Sequence, residues 1–308
     1  MRFSSRRLIN LLILLLLLGG VALWNSRSRQ TPAATPAQPA QGQPTTAAPA
    51  SEAPAATAEP DTARGNRNLR LGNPSAATHD ASQPNNYLIE RPQYALSYNR
   101  DHGTPNWVSW QITASDLGDV QRSNIFDPDT TLPKGWYQVK TGDYTGSGYD
   151  RGHMCPSADR SATQEDNQAT FTLTNIVPQA PDNNRVTWEH LEALSRTLVH
   201  KGHVLYVIAG GDGSNGTIAK GKILVPGYTW KIIVVMPVGT SDITKISADT
   251  PVIAVRIPNQ LGVKINDWDS YRVKIADIEA ASGYHFLTNL PPEIQQALKS
   301  KVDPAPIS

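Results

Sequence analysis

Four consecutive residues near the middle of the chain carry side chains that suit catalysis better than a protein core. Asp150, Arg151, Gly152 and His153 supply a carboxylate, a guanidinium, a glycine and an imidazole. In an extended segment alternate side chains point to opposite faces, so we expect Arg151 and His153 to share one face. Gly152 leaves room for backbone or a ligand to approach closely. A base and an anion-binding group would then point the same way.

A predicted helix further along the chain carries two more polar candidates. Large apolar side chains recur at helical spacing between residues 185 and 200. Asn184 and Glu192 lie eight residues apart, which is about 2.2 turns of an α-helix. Both should project near one face if the helix starts by Asn183.

Together these groups suit the metal-assisted hydrolysis of a phosphodiester. A neutral imidazole, whose ordinary pKa is about 6.5, can take a proton from the attacking water. A hard divalent cation supplies positive charge to the phosphoryl and leaving oxygens. Mg²⁺ keeps several of its waters and takes only one or two protein oxygens, so an Asn carbonyl and a water-linked Glu are sufficient. A guanidinium can bind phosphate through two N–H groups.

The charge balance excludes one class of nucleic-acid binder. Six of the 28 basic and three of the 27 acidic residues lie within residues 1–65, which leaves 22 and 24 beyond them. A domain with a net charge of −2 is not a bulk-cationic binder of the high-pI kind. Any polyanion site must therefore be a local patch with a metal in it. The single cysteine, Cys155, rules out an internal disulfide framework and is expected to be a small buried hydrophobe.

The start of the chain has the order of groups typical of an export signal. Arg2, Arg6 and Arg7 precede an apolar run from Leu11 to Trp24. Counted from Leu8 to Trp24, with the polar Asn10 included, the segment has seventeen residues, at the short end of the roughly 17 to 25 that span a bilayer. Residues 1–24 are therefore predicted to be either a cleaved signal peptide or a signal anchor.

Two further segments follow from composition. Residues 25–66 are rich in Pro, Ala and Thr and poor in large apolar groups, which predicts a disordered linker. Residues 67–302 hold almost all the Trp and Tyr and are predicted to be one globular domain. We expect that domain to be exported, in the periplasm, outside the cell or anchored facing outward. The membrane would be contacted only through the N-terminal segment.

Periodicity predicts a domain that mixes strands and helices. The predicted strands are 106–112, 171–177 ended by Pro178, 204–209, a hairpin over 222–236 that turns at Pro226-Gly227, and 252–257. Two short helices are predicted at 275–282, stopped by Gly283, and at 291–301, which begins with prolines.

Four sequence blocks in this order resemble the DNA/RNA non-specific endonuclease family, ββα-metal nucleases that include mitochondrial endonuclease G. They are D-R-G-H at 150–153, A-D-R at 158–160, T-N-I-V-P-Q at 174–179 and N-R-V-T-W-E-H-L-E at 184–192. On D-R-G-H alone a structural histidine would be the simpler interpretation. The resemblance runs from about Leu69 to Val302, and the blocks L-G-N-P-S and Y-A-L-S-Y-N are similar to those of the secreted cyanobacterial-type members.

The resemblance implies a fold and a role for each candidate residue. The fold is α+β, the ββα-metal nuclease fold, with a mixed antiparallel sheet core flanked by helices and the active site on a β-hairpin and a long helix. The implied roles are His153 as general base, Asn184 as direct ligand of Mg²⁺ or Mn²⁺, Glu192 as ligand through water, Arg151 and Arg122 as phosphate contacts, and Asp150 as support for the motif. The role of Arg122 is inferred only from its position in a polar loop before the Asp-Pro turn at 127–128.

The function implied by the resemblance is an exported endonuclease that cuts DNA and RNA and leaves 5′-phosphate ends. A protein inhibitor is a possible partner, as for some relatives. Two alternatives stay open. One is a phosphodiesterase that acts on small nucleotides. The other is a catalytically silent nucleic-acid-binding or uptake protein outside the cytoplasm.

Overall fold

A computed structural model of the protein describes residues 65–303. The predicted signal or anchor at 1–24 lies outside this range, as does the predicted linker at 25–66 apart from its last two residues. Within the described range, no helix is both long and apolar enough to cross a membrane.

A six-stranded sheet forms the centre of the domain, and every neighbouring pair in it is antiparallel. Its strand order is β1-β2-β3-β6-β9-β10. These strands are β1 (Tyr87–Glu90), β2 (Ala95–Asn99), β3 (Thr104–Ile112), β6 (Leu205–Asp212), β9 (Tyr228–Val235) and β10 (Val252–Pro258). Two small two-stranded ribbons join β4 (Asp150–His153) to β5 (Ile176–Gln179), and β7 (Thr217–Ile218) to β8 (Ile223–Leu224).

Four α-helices are present among the described residues, α1 (Gln164–Ala169), α2 (Trp188–His200), α3 (Ile275–Ser282) and α4 (Pro292–Ser300). A π-helical segment, Asn183–Thr187, leads directly into α2. Helix α3 ends where Gly283 takes a left-handed conformation with φ of 76°, which a residue without Cβ adopts at low cost. Proline lies in the first turn of α4, where no helical N–H is needed.

Both faces of the sheet are apolar, and each is covered by different helices. On one face Trp110, Val207 and Ile233 pack against Trp188 and Leu191 of α2. On the other face, strand side chains of the opposite parity, Trp107, Ile208 and Ile232, pack against Ile278 of α3 and Leu298 of α4. Burying each such side chain stabilises the fold by about 1.5–3 kcal/mol. The period-two alternation of the strands thus selects which helix lies on which face.

The β4–β5 ribbon carries the D-R-G-H block and is closed by a buried asparagine. Residues 154–175 separate the two strands, so the ribbon is not a tight hairpin. Asn175 accepts the backbone N–H of Cys155 at 3.0 Å and donates to the carbonyls of Cys155 and Thr170, both at 2.8 Å. Cys155 itself is fully buried, as expected for a small hydrophobe.

Three local predictions were wrong in detail. The hairpin over 222–236 does not form, because Ile223–Leu224 pairs with β7, whereas β9 pairs with β6 and β10. Strand β9 is buried on both faces, so it needs a long neighbour at each edge, which the two residues of β8 do not supply. The helix predicted from residue 185 is α-helical only from Trp188.

The strand predicted at 171–177 also differs, since it begins at Ile176 and continues through Pro178. Residues Leu173–Asn175 form a 3₁₀ turn. Pro178 lies opposite Arg151 in the ribbon. Among the described strands β5 pairs only with β4, so its outer edge tolerates a residue that lacks an N–H.

Gly152→Ala should destabilise the protein by about 1–3 kcal/mol. A Cβ at this position would lie 2.2 Å from Gln179 Oε1 and 2.6 Å from Gln179 Cβ. Urea denaturation of the variant and the parent protein measures the difference. Gly142→Ala is the matched control, because nothing lies within 4 Å of its added Cβ. Equal losses in the two variants would contradict the steric explanation.

Candidate active site

His153 ends strand β4 and is packed between two aromatic rings. Its side chain belongs to a residue only 7% exposed, and its ring centroid lies 5.3 Å from that of Phe126 and 4.8 Å from that of Phe171. Within residues 65–303, no hydrogen-bond partner reaches the buried Nε2 atom. Burial first, and then the charge of Arg122, lower the pKa of His153 to about 3. The imidazole is therefore neutral at ordinary pH.

Arg122 is more ordered than its loop position suggests. Its guanidinium lies 4.9 Å from the centroid of the Phe171 ring, which His153 also contacts. It donates a short hydrogen bond to Ser157 Oγ, and its Nε donates to Asn124 Oδ1 at 2.9 Å. Burial lowers the pKa of Arg122, and the charge of Glu192 opposes that shift. Arg122 thus belongs electrostatically to the same cluster as His153 and Glu192.

Arg151 and His153 lie on the same side of the ribbon, as their alternation predicts. The Arg151 guanidinium stacks 4.7 Å from the centroid of Phe126, the other ring that flanks His153. Its Nη1 donates to the carbonyl of Thr141 at 3.4 Å. Phe126 therefore contacts both His153 and Arg151, and Phe171 contacts both His153 and Arg122. The two rings hold the imidazole with one guanidinium group on each side.

Asp150 points to the start of the helical segment and fixes the Asn184 amide. Asn184 Nδ2 donates to Asp150 Oδ2 at 3.0 Å, so the Asn184 carbonyl oxygen is the atom left for another partner. Arg185 donates to both Asp150 oxygens, at 2.7 and 2.6 Å. Burial alone would raise the pKa of Asp150, but the hydrogen bonds from Arg185 and Asn184 outweigh it and lower the pKa. Arg185 is a contact that the sequence reasoning missed.

Asn184 lies in the π-helical segment, and this changes its spacing from Glu192. The N–H of Trp188 bonds to the carbonyl of Asn183, five residues back. A turn of π-helix contains more residues than a turn of α-helix. The predicted separation of about 2.2 turns between Asn184 and Glu192 is therefore too large. Asn183 anchors the segment, since its Nδ2 donates to Thr229 Oγ1 on β9 at 2.9 Å.

Glu192 faces a buried lysine that sequence reasoning did not single out. Lys231 Nζ lies 3.4 Å from Glu192 Oε1, and the two side chains are 1% and 13% exposed. Burial raises the pKa of Glu192 and lowers that of Lys231, and each partner's charge opposes the other's shift. The signal was available, because Lys231 interrupts an otherwise apolar run from Trp230 to Met236.

The A-D-R block supports the site from within the core. Arg160 is 1% exposed and donates to the carbonyls of Gln93 and Gln111, at 2.9 and 2.8 Å. Asp159 accepts from Trp110 Nε1 at 3.0 Å and from Arg196 Nη1 at 3.4 Å. These contacts attach the chain that follows His153 to β3, α2 and the segment at Gln93.

The donor set fits a hard, hydrated cation. A zinc site needs at least three His, Cys, Asp or Glu ligands. The described residues contain no group of three or more such side chains arranged to hold a metal. The Asn184 carbonyl oxygen, oriented by Asp150, and the Glu192 carboxylate are both oxygen donors. Two such donors suffice for Mg²⁺, which keeps most of its waters.

The chain is similar over most of its length to known nucleases. The sequence model of the DNA/RNA non-specific endonuclease family matches residues 71–293. A nuclease of Nostoc sp. is 53% identical over 235 residues, 76% of this chain and 85% of that protein. Nuclease C1 of Cunninghamella echinulata is 33% identical over 238 residues, 72% of this chain and 88% of that protein. A crystal structure of the EndoG/EndoGI complex aligns with a TM-score of 0.62 at 26% identity, over 77% of this chain and 95% of that chain.

Acid should destabilise the protein partly through His153. Its pKa is about 3 in the folded chain and about 6.5 when unfolded, so between these values the unfolded state binds more protons and stability rises with pH. From pH 7 to pH 5 the parent protein should lose on the order of 2 kcal/mol more than His153→Gln. Urea denaturation of both proteins at the two pH values measures this. Parallel losses would show that His153 does not contribute.

Proposed function

The chain belongs to the DNA/RNA non-specific endonuclease family, and we propose that it is a metal-dependent endonuclease that hydrolyses phosphodiester bonds of both DNA and RNA to leave 5′-phosphate ends. The observation that carries this proposal is the neutral, buried imidazole of His153. It lies between two phenylalanine rings, each of which also carries a stacked guanidinium group, that of Arg122 or Arg151. The oriented amide of Asn184 and the carboxylate of Glu192 support it.

His153 is the proposed general base that takes a proton from the attacking water. Burial and Arg122 hold the ring neutral, so a ring nitrogen is ready to accept a proton. The positive charge of Arg122 also makes the free imidazole a weak base. A phosphodiester anion bound at Arg122 offsets that charge, so the basicity of His153 should rise when the substrate is in place.

Arg122 and Arg151 are the proposed phosphate contacts. Each guanidinium has one face on a phenylalanine ring, which restricts its rotation and directs its N–H groups. Guanidinium groups bind phosphate through paired, charge-assisted hydrogen bonds. As negative charge builds on the phosphoryl oxygens, groups that are already oriented stabilise it without reorganisation.

Asn184 and Glu192 are the residues that would hold Mg²⁺, or Mn²⁺ as the alternative. Asn184 would bind through its carbonyl oxygen and Glu192 through water, and Asp150 would keep the Asn184 amide in the required orientation. When bound, the cation supplies Lewis-acid stabilisation of the leaving oxygen. Arg185 neutralises Asp150, so Asp150 serves the site as an acceptor for the amide.

We further propose that residues 67–302 act as an exported domain behind a signal or anchor at 1–24 and a linker at 25–66. The support is the order of basic and apolar residues at the start of the chain. A protein inhibitor is a possible partner. The support for this partner comes only from a similar protein, because a crystal structure of the EndoG/EndoGI complex concerns the mechanism of EndoG inhibition.

Purified protein should degrade supercoiled plasmid and RNA with Mg²⁺ and fail to do so with EDTA. His153→Ala should reduce turnover by about 10²- to 10⁴-fold, the range typical for loss of a general base. Gel electrophoresis of timed digests, together with the melting temperature of each protein, separates a catalytic loss from an unfolded variant. Wild-type turnover in His153→Ala would remove this residue from the mechanism. Cleavage of neither substrate with Mg²⁺ or Mn²⁺ would favour a small-nucleotide phosphodiesterase or a binding protein.

Asn184→Ala should raise the Mg²⁺ concentration needed for half-maximal activity, because it removes the one proposed direct ligand. A tenfold or larger rise is expected from the 10- to 100-fold effect of altered metal-site residues. Asn289→Ala is the control, since that amide donates instead to the carbonyls of Leu69 and Arg70. If the two variants have the same metal requirement as the parent, Asn184 is not a ligand.

A further inference from the structure

Lys231 is an unusual residue for the middle of a buried strand. It is 1% exposed and lies on β9, on the sheet face that α2 covers. Its Nζ is 4.2 Å from the ring centroid of Trp188 and 5.7 Å from that of Trp110. Transferring an ammonium group from water to such surroundings is costly unless it is paired. The aromatic faces offset part of that cost.

The partner of Lys231 is the carboxylate proposed to serve the metal. Glu192 Oε1 lies 3.4 Å from Lys231 Nζ. The neighbouring carboxylate, Asp159, is already engaged by Trp110 at 3.0 Å and by Arg196 at 3.4 Å. Lys231 thus donates its hydrogen bond to Glu192, while Arg196 donates to Asp159.

A buried ion pair is weak support for stability alone. Well-packed apolar residues of similar volume often stabilise a fold equally well or better, whereas removal of one charged partner is strongly destabilising. A lysine here is better explained by what it does to Glu192. Its contact engages Oε1 from the strand side, so Oε2 is the oxygen that remains for a hydrated cation.

We propose that Lys231 is a positioning residue that holds Glu192 in the orientation required for the hydrated metal ion. It touches neither substrate nor metal and acts only through the Glu192 carboxylate. The contact fixes the side-chain rotamer of Glu192 and keeps a compensating positive charge beside it. This inference rests on the proposed function, because it takes from there the role of Glu192.

Lys231→Met tests the proposal, since it removes the charge while keeping an unbranched side chain. Binding of Mn²⁺ to the full-length protein without nucleic acid, followed by electron paramagnetic resonance, should weaken by about 10- to 100-fold. Ile233→Ala is the matched control, because Ile233 is fully buried two residues further along the same strand and face. It should lower the melting temperature without changing Mn²⁺ affinity. Parent-like Mn²⁺ affinity in folded Lys231→Met would overturn the proposal.

Glu192→Gln provides a second arm in case Lys231→Met does not fold. Because Lys231 acts only through the carboxylate, adding Lys231→Met to Glu192→Gln should cause no further loss of Mn²⁺ affinity. The double variant should also fold better than Lys231→Met, since no carboxylate is left buried without a cation. A further loss in the double variant would mean that Lys231 acts by another route and would overturn the proposal.

Nucleic-acid cleavage by the parent protein tests the proposed function separately from the role of Lys231. If the parent cleaves nucleic acid and Lys231→Met binds Mn²⁺ like the parent, only the role of Lys231 fails. If the parent cleaves nothing with Mg²⁺ or Mn²⁺, the nuclease proposal fails, and loss of Mn²⁺ binding in Lys231→Met still reports on the positioning of Glu192.

Discussion

The packing of residues 183–200 onto strand β9 is the contact on which the candidate site depends. Thr229 and Lys231 are alternate residues of β9 and face the same way. Thr229 accepts from Asn183 at 2.9 Å, and Lys231 contacts Glu192 at 3.4 Å. These two polar contacts attach Asn183, which precedes Asn184, and Glu192 to one strand. Apolar packing of Trp188 and Leu191 fills the space between them.

The β4–β5 ribbon must then be brought against that segment, and Asp150 makes the connection. It accepts from Asn184 and Arg185 while His153, three residues later, lies in the pocket between Phe126 and Phe171. The positive charge of the site is therefore local. It comes from guanidinium groups stacked on aromatic rings, in a domain with more acidic than basic residues.

Local rules predicted much of the fold correctly, and the exceptions have a common cause. Helix α3 was predicted with its observed bounds because its end is set by Gly283, a neighbour in sequence. The hairpin over 222–236 failed because the partners of β9 are set by β6 and β10, which are distant in sequence. In the same way, the local rule has Pro178 end a strand, yet here it continues β5 on the side away from β4, where no further strand of the described residues needs its N–H.

The amino-acid sequence alone was enough to predict the family, the α+β class and the candidates His153, Arg151, Asp150, Asn184 and Glu192, because the candidates lie in short contiguous blocks whose order is visible without a structure. The surroundings of these side chains, in contrast, became visible only in the folded chain. The packing of separate segments produces four features of the site. These are the phenylalanine pocket of His153, the stacking of Arg122, the π-turn at Asn184 and the burial of Lys231 beside Glu192. Burial and pairing between distant segments set the charge state and orientation of a side chain, and periodicity along the chain does not encode them.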